Sequence, residues 1–175
     1  SSAGKTTLAL ILAGLAPEMT GGKLRGRVMV NGQNAVATPA AQLSVHLGLV
    51  FQEPERQLFN MTVADEVAFG LEGVGLPPAE IKERIAWALA RVRLSGLEER
   101  APSQLSGGQQ KRLALAAILA LRPPILLLDE PMAGLDPLGR REVAAVLREL
   151  QAEPGATVIV LDKDAEFVAR WAERL

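Results

Sequence analysis

Two adjacent carboxylates, Asp129 and Glu130, follow the apolar run 125–128 and precede Pro131. A buried strand of this kind presents its last side chains to the crevice in which α/β sheets bind ligands. We expect Asp129 to hold Mg²⁺, directly or through water, and Glu130 to orient or deprotonate an attacking water molecule. A solvated strand end, which any sheet can have, is the alternative explanation for the same residues.

The chain opens on Gly4-Lys5-Thr6-Thr7, the last part of the pattern G-x-x-x-x-G-K-[ST]. In such a loop the backbone N–H groups at a helix N-terminus bind phosphate, a lysine brings positive charge to the terminal phosphates, and a hydroxyl binds Mg²⁺. Lys5 and Thr6 are the candidates for the last two roles. The first glycine of the pattern would precede Ser1, so we expect the sequence to begin inside its own phosphate-binding loop. An ordinary helix start is the alternative.

A third element reads Leu105-Ser106-Gly107-Gly108-Gln109. Ser106 and Gln109 fit a capping box at the start of a helix. The two glycines between them lower helix stability, so they need another reason. They would let a phosphate approach the helix N-terminus closely, with Ser106 as a further donor. Asp136-Pro137 similarly fits an N-cap followed by proline at the first helical position.

Regular elements must position these residues, and hydrophobic periodicity predicts their order. The predicted strands are 28–30, 47–51, 125–128 and 157–161, and a tight turn is predicted at Asn31-Gly32 after the first strand. The predicted helices are 6–16, several within 54–121, 139–150 and 165–175. Strands that alternate with helices indicate a mostly parallel sheet. We therefore expect one α/β core, formed by 1–53 and 122–175, that is interrupted by a helical subdomain at 54–121.

Composition excludes several classes of function. Nineteen Lys+Arg against twenty Asp+Glu give a net charge of −1, which offers no bulk attraction for nucleic acid or anionic lipid. The longest apolar stretches, 8–16 and 113–121, fall short of the roughly 20 residues of a membrane-spanning helix. We therefore expect any function at the membrane to depend on partner proteins. The absence of cysteine fits a cytoplasmic protein. We expect His46, Trp87 and Trp171 to be packed residues rather than ligands.

Taken together, these motifs resemble the ATP-binding-cassette (ABC) family over essentially the whole chain. The resemblance implies a P-loop NTPase, RecA-like core and the cofactors ATP and Mg²⁺. It makes Gln52 the Q-loop glutamine, 105–109 the signature, 125–130 the Walker B strand and 134–136 the D-loop. The nucleotide-binding residues it implies are Ser2, Ala3, Gly4, Lys5, Thr6, Thr7, Leu105, Ser106, Gly107, Gly108, Gln109 and Asp136. The implied catalytic residues are Glu130, Gln52 and Lys163, and the implied metal ligands are Thr6, Gln52 and Asp129.

A narrower resemblance comes from 51–59 together with 62–63 and 66–70, which are similar to the ATPases of energy-coupling-factor transporters for vitamins and transition-metal ions. It implies the ATP-hydrolysing subunit of an importer, peripheral on the inner face of the cell membrane. A transmembrane coupling subunit and a substrate-binding membrane subunit would be its partners, with no nucleic acid. Gln57, Leu58 and Phe59 form the expected coupling surface. The alternative is that Leu58 and Phe59 pack inside the helical subdomain.

Members of this family work as head-to-tail pairs, in which the signature of one subunit closes on ATP held by the other. Two residues depart from the family pattern: Ser2 replaces a loop glycine, and Lys163 replaces the switch histidine. Lysine offers charge but no neutral donor–acceptor ring. We therefore expect tight ATP binding, slow hydrolysis, and a different cassette, separate or fused, as the partner in preference to a homodimer.

Two other functions stay open at this stage. One is a weakly hydrolysing half of an asymmetric ABC pair, which Lys163 favours. The other is a soluble ABC ATPase that acts on DNA or ribosomes. DNA-repair members place a long coiled coil before the signature, and no heptads appear between Lys5 and Leu105. The aromatic residue that stacks on adenine in this family would precede Ser1.

Overall fold

The computed structural model describes residues 4–53, 57–152, 154–164, 167–169 and 172. Helices and strands alternate along the chain before and after a long helical segment. In chain order the elements are α1 (Lys5–Leu12), β1 (Met29–Val30), β2 (Gln33–Asn34), α2 (Ala40–Leu43), β3 (Leu47–Val50), α3 (Val63–Gly73), α4 (Pro78–Arg91), a 3₁₀ turn (Pro102–Gln104), α5 (Gly107–Leu119), β4 (Ile125–Asp129), α6 (Pro137–Gln151) and β5 (Thr157–Leu161).

The central sheet has the order β3–β4–β5, and both pairs of neighbours are parallel. Its middle strand is almost entirely leucine and is buried from Leu126 to Asp129. Strands that are covered on both faces are expected to be continuous apolar runs rather than alternating ones. The predicted α/β class and parallel sheet are confirmed. Because the strands are parallel, the residues after Val50, Asp129 and Leu161 emerge at one edge.

Helix α1 packs against the sheet through Ala9 and ends at Leu12, four residues earlier than the sequence predicts. Gly14 explains the difference, since its φ is +71° and a Cβ there would lie 2.4 Å from Leu43 Cδ1 and 2.9 Å from the Ala35 carbonyl oxygen. Only glycine fits that backbone and that space. The chain therefore leaves the helix and turns toward β1.

The hairpin that joins β1 to β2 follows the predicted tight turn. Asn31 and Gly32 have φ values of 46° and 80°, which is the geometry of a two-residue type I′ turn. His46, expected inside a strand, instead lies in the turn before β3, half-buried, with its Nδ1 atom 3.1 Å from Asn31 Nδ2. The strand begins one residue later than the histidine, so its ring stays near the surface.

Helices α3, α4 and α5 occupy the segment between β3 and β4. Thr62 caps α3 by accepting from the Asp65 N–H at 3.0 Å, and Pro78 begins α4. One continuous apolar cluster joins the three helices to β4 and α6, through residues such as Val67, Leu89, Leu113, Leu128 and Leu147. We propose 54–121 as the helical subdomain, with a core that it shares with the sheet.

Helix α6 starts two residues before its predicted position because Asp136 caps it, accepting from the Gly139 N–H at 2.7 Å. The last predicted helix, 165–175, lies mostly outside the described residues, as does Trp171; residues 167–169 are helical. Trp87 is half-buried, with the guanidinium carbons of Arg91 and Arg122 5.3 and 4.9 Å from its ring centre. No helix in the described part of the chain has the length and apolarity needed to cross a bilayer.

The Arg112 side chain of α5 contacts both the end of α4 and helix α6. Its Nη1 atom donates to the carbonyl oxygens of Val92 and Arg93 at 2.8 and 3.3 Å, beyond the end of α4, and its Nη2 atom lies 3.1 Å from Glu142 Oε2 on α6. Burial lowers the pKa of the Arg112 guanidinium, and the Glu142 carboxylate opposes that shift. The buried Arg112 side chain thus connects α5 with the end of α4 and with α6.

Replacing Arg112 with methionine should lower the free energy of unfolding by about 3 kcal/mol, because Glu142 and two carbonyl groups lose a buried partner. Urea unfolding followed by circular dichroism measures the change. Exposed Lys82 of α4 is the matched control, and Lys82→Met should change stability by less than about 0.5 kcal/mol. An Arg112→Met protein as stable as the parent would contradict a stabilising role for these contacts.

Candidate nucleotide-binding site

The phosphate-binding part of the site is the start of α1. Gly4 is the N-cap residue, with a left-handed backbone at φ 71°, and the first turn of α1 carries no acidic side chain. The first N–H groups of a helix have no partner within the helix and carry the positive end of its dipole, so they favour an anion. Lys5 adds its ammonium group at the same place. Ser2 and Ala3 lie outside the described residues.

Thr6 and Asp129 form the closest side-chain contact in the site. The Thr6 hydroxyl donates to Asp129 Oδ2 at 2.6 Å, and Asp129 is 2% exposed. This contact brings the start of α1 to the end of β4. Mg²⁺ in phosphate-binding sites uses one or two protein oxygens together with phosphate oxygens and water. The hydroxyl–carboxylate pair fits that role, and no cluster of three acidic or histidine ligands occurs among the described residues.

Glu130 is the buried centre of the site. It is 3% exposed, has φ 47°, and its N–H donates to the Leu161 carbonyl oxygen at 2.8 Å. A left-handed backbone is strained for glutamate and persists only where its surroundings impose it. Here the bond to β5 holds the backbone in that conformation. The side chain is thereby fixed at the carboxyl edge of the sheet.

Three donors converge on the Glu130 carboxylate. Gln52 Nε2 donates to Oε2 at 3.3 Å, Lys163 Nζ lies 3.0 Å from Oε2, and Lys5 Nζ lies 3.9 Å from Oε1. The structure therefore brings together every catalytic residue that the sequence predicts. Lys163 is 64% exposed, and it contacts the carboxylate directly. The predicted role of Gln52 as a metal ligand stays a prediction, because its side chain contacts Glu130.

The capping box at the signature has formed as predicted. The Ser106 hydroxyl accepts from the Gln109 N–H at 3.3 Å, and Gln109 Oε1 accepts from the Ser106 N–H at 2.9 Å. Leu105 is buried, whereas Ser106 and Gly107 are exposed. Their neighbours in the described chain do not explain the glycines: a Cβ on Gly107 would meet nothing within 4 Å, and one on Gly108 would meet Gly139 Cα at 3.7 Å.

Neither signature glycine has a positive φ, so backbone strain does not require them either. The described part of the chain therefore gives no structural reason for glycine at these two positions. The start of a helix favours an anion, and glycine leaves room for a phosphate to approach it.

A cavity of about 390 Å³ lies beside Glu130. It is lined by residues 132–134, the last of which begins the predicted D-loop, by the start of α6 and by 162–164. Asp136, the predicted ligand residue of the D-loop, uses its carboxylate as the α6 cap. That cap fixes the end of the loop that joins Glu130 to α6.

Sequence reasoning missed two buried charged residues next to this site, Lys111 and Glu66. Lys111 Nζ donates to the carbonyl oxygens of Gln52, at 3.4 Å, and Ala133. Glu66 Oε2 accepts from the N–H groups of Phe59 and Asn60 at 3.1 and 2.9 Å. The helical spacing could have indicated that Lys111 is buried, because it lies four residues before buried Leu115 on α5.

Comparison with known proteins agrees with this geometry. The family model described as ABC transporter matches residues 1–133. An energy-coupling factor transporter ATP-binding protein, EcfA, of Methanothermobacter thermautotrophicus is 41% identical over 177 residues, which is 100% of this chain and 55% of the relative. A Pyrococcus abyssi protein described as a candidate ABC transporter ATP-binding protein is 45% identical over 175 residues, 100% of this chain and 62% of its own.

The solved structure of cbiO1 from Clostridium perfringens, part of the ABC transporter complex cbiONQ, superposes with a TM-score of 0.82. It is 35% identical, and the match covers 97% of this chain and 66% of that one. The predicted P-loop NTPase fold is thereby confirmed. This chain spans about 62% of the length of the Pyrococcus relative. On the family match and the shared fold, the chain belongs to the ABC transporter family.

Proposed function

We propose that this chain binds ATP with Mg²⁺, hydrolyses the terminal phosphate, and supplies that free energy to a membrane importer of the energy-coupling-factor type. One observation carries the proposal: Lys5 and Thr6 of the phosphate-binding helix meet Asp129 and Glu130 at the end of β4. Charge, hydroxyl and carboxylate are thus arranged around one point, as phosphoryl transfer requires. The similarity to EcfA and to a cbiONQ component supports the importer role.

Each residue has a distinct part in this chemistry. The N–H groups at the start of α1 and the Lys5 ammonium would bind the phosphates, while Thr6 and Asp129 would hold Mg²⁺. The metal ion supplies charge neutralisation when it is bound. Glu130 would orient or deprotonate the attacking water, and Gln52, already 3.3 Å from it, would help hold that carboxylate in line.

The exposed signature supports a pair of cassettes. Gly107 has open space around it, and its neighbours in the described chain give no reason for glycine. We propose that this end of α5 closes on the nucleotide of a second ABC domain. A different cassette, separate or fused, is favoured over a second copy because Lys163 replaces histidine at the switch position.

The surface for the membrane partner is proposed at three exposed apolar side chains, Phe59, Met61 and Phe69, which we call the aromatic patch. Phe59 and Phe69 pack edge to face at 5.0 Å and are 66% and 56% exposed. Glu66 holds the loop beneath Phe59 by accepting from two backbone N–H groups. The sequence left open the alternative that Leu58 and Phe59 pack inside the helical subdomain. Leu58 contacts the core and fits that alternative in part, whereas Phe59 is largely exposed and does not.

A shallow groove of about 190 Å³ runs beside the aromatic patch, between the end of β3, α3 and α5. Rigid, apolar and partly exposed, it fits an amphipathic helix laid in a groove. We propose that a helix of the transmembrane coupling subunit occupies it, which would place this chain on the inner face of the membrane. The cargo, a vitamin or a metal ion, would be selected by another subunit.

Glu130→Gln should leave ATP affinity within a few-fold of the parent and reduce kcat by about 10²–10⁴-fold, because the carboxylate acts on water rather than on nucleotide binding. Lys5→Ala should weaken ATP binding itself. Both are measured on the full-length protein with its partners, as ATP Kd and steady-state phosphate release. Glu83→Gln, at an exposed position on α4, is the control. Near-parental turnover of Glu130→Gln would overturn the catalytic assignment.

Phe59→Asp should abolish co-purification with the transmembrane subunit, because a charge on the aromatic patch removes the apolar contact. The variant should unfold at the parental urea midpoint, since Phe59 is largely exposed. Met19→Asp, at a residue that is 68% exposed, should assemble normally. Unchanged assembly of Phe59→Asp, or loss of its fold, would favour interior packing over docking.

Lys163→His should raise ATP turnover by at least about 10-fold, because the lysine ammonium holds a hydrogen-bond position on Glu130 that an activated water requires. The ATP Kd should change little. The assay compares the purified chain alone with the chain beside its partner cassette. Brisk turnover of the parental chain as a homodimer, unchanged or reduced by histidine, would show that lysine is competent and would remove the argument for an asymmetric pair.

A further inference from the structure

Lys111 is a buried cation in the second turn of α5. The residue is 8% exposed, and it lines one small, mostly apolar cavity together with Val50, Leu115, Leu128 and Val143. Its ammonium donates to two backbone carbonyl oxygens, those of Gln52 and Ala133. A buried ammonium is costly unless its surroundings compensate it. Methionine would fill the same apolar channel without that cost, so the charged head has a purpose beyond packing.

The two carbonyl groups belong to two separate segments, and each of these segments contacts Glu130. Gln52 directly follows β3, and its side chain donates to Glu130 Oε2 at 3.3 Å. Ala133 lies in the loop after β4, and its N–H donates to the Glu130 carbonyl oxygen at 3.0 Å. One ammonium therefore contacts two of the segments that touch Glu130. The Gln52 segment touches Glu130 through its side chain, and the Ala133 segment through its backbone.

Lys111 also lies five residues after Ser106 on one continuous helix. A displacement of the signature end of α5 therefore displaces the Lys111 stem with it. Lysine suits this link because its ammonium has three donors and can reach two acceptors at once. Backbone carbonyls suit it as well, since they move only when their segments move.

We propose that Lys111 is a positioning residue that couples the signature helix to the catalytic carboxylate, by tying α5 to the segments of Gln52 and Ala133. It acts through Glu130 and Gln52 and touches no substrate. The proposal rests on the ATPase assignment and is independent of the importer role. It adds a physical connection between the surface that meets the partner nucleotide and the group that activates water.

Substitution by methionine distinguishes a lysine that only stabilises the fold from a lysine that positions the catalytic groups. Lys111→Met removes the cost of burying a charge but leaves two carbonyl oxygens without this donor, so we expect a lower urea midpoint with the fold retained. If Lys111 positions the site, Lys111→Met keeps the fold and still loses turnover. A misplacement of about 1 Å in a catalytic group reduces rate by about 10²-fold, and we expect a loss of that order in kcat, with ATP Kd within a few-fold.

The experiment uses the full-length protein and compares Lys111→Met, Lys111→Arg and Gln110→Leu. Gln110 is the matched control, because it lies on the same helix and its Nε2 atom donates to the Pro102 carbonyl oxygen at 3.0 Å, away from Gln52. Gln110→Leu should keep parental kcat. Lys111→Arg, which restores the charge in a planar form, should recover part of the rate. The readouts are kcat, ATP Kd and the urea midpoint.

A double-mutant cycle then tests whether Lys111 acts through Gln52. If Lys111 acts through Gln52, Lys111→Met and Gln52→Ala together should cost less than the product of their separate effects on kcat. Strictly multiplicative effects, or unchanged kcat in Lys111→Met, would overturn the proposal. If Lys111→Met fails to fold, Lys111→Gln replaces it, and parental kcat per folded molecule would again overturn it. Absence of turnover in the parent would instead contradict the ATPase assignment.

Discussion

A buried carboxylate at the end of a parallel strand is the constraint on which the rest of the site depends. Glu130 is 3% exposed and has a left-handed backbone, and an ionised carboxylate in that position requires charged or hydrogen-bonding partners. Gln52, Lys5 and Lys163 provide them from three different segments. The start of α1 and the ends of β3 and β5 must therefore meet at one point. The parallel order of the sheet brings the strand ends together, and the Thr6–Asp129 contact brings the start of α1 to them.

Two consecutive buried cations of α5 contact different parts of the structure around that helix. Successive residues of a helix point about 100° apart, so Lys111 and Arg112 reach different neighbours. Lys111 contacts the segments around Glu130, whereas Arg112 contacts the end of α4 and Glu142 of α6. The shared apolar cluster supplies most of the packing between these parts, and the two cations specify the orientation of α5 within it.

Two surfaces of the chain have no explanation in its own packing. The signature glycines at the start of α5 are neither crowded nor strained, and the aromatic patch around Phe59 is exposed although it is apolar. The signature end of α5 contacts the segments around Glu130 through Lys111. An assembly in which partners cover both surfaces would account for each of them.

The sequence by itself determined the features that depend on near neighbours. The capping box of Ser106 and Gln109, the Asp136 cap and the Asn31-Gly32 turn span at most four residues, and the leucine run of β4 identifies a buried strand by composition alone.

Tertiary structure decided the contacts between residues far apart in the chain. Lys163 and Glu130 are 33 positions apart, Lys111 and Gln52 are 59 apart, and Thr6 and Asp129 are 123 apart. Motif spacing predicted that the carboxylates and the phosphate loop share one edge, because parallel strands end together. It could not predict that the Lys163 ammonium contacts Glu130, or that a buried lysine joins α5 to Gln52, because those distances follow from how the helices pack on the sheet.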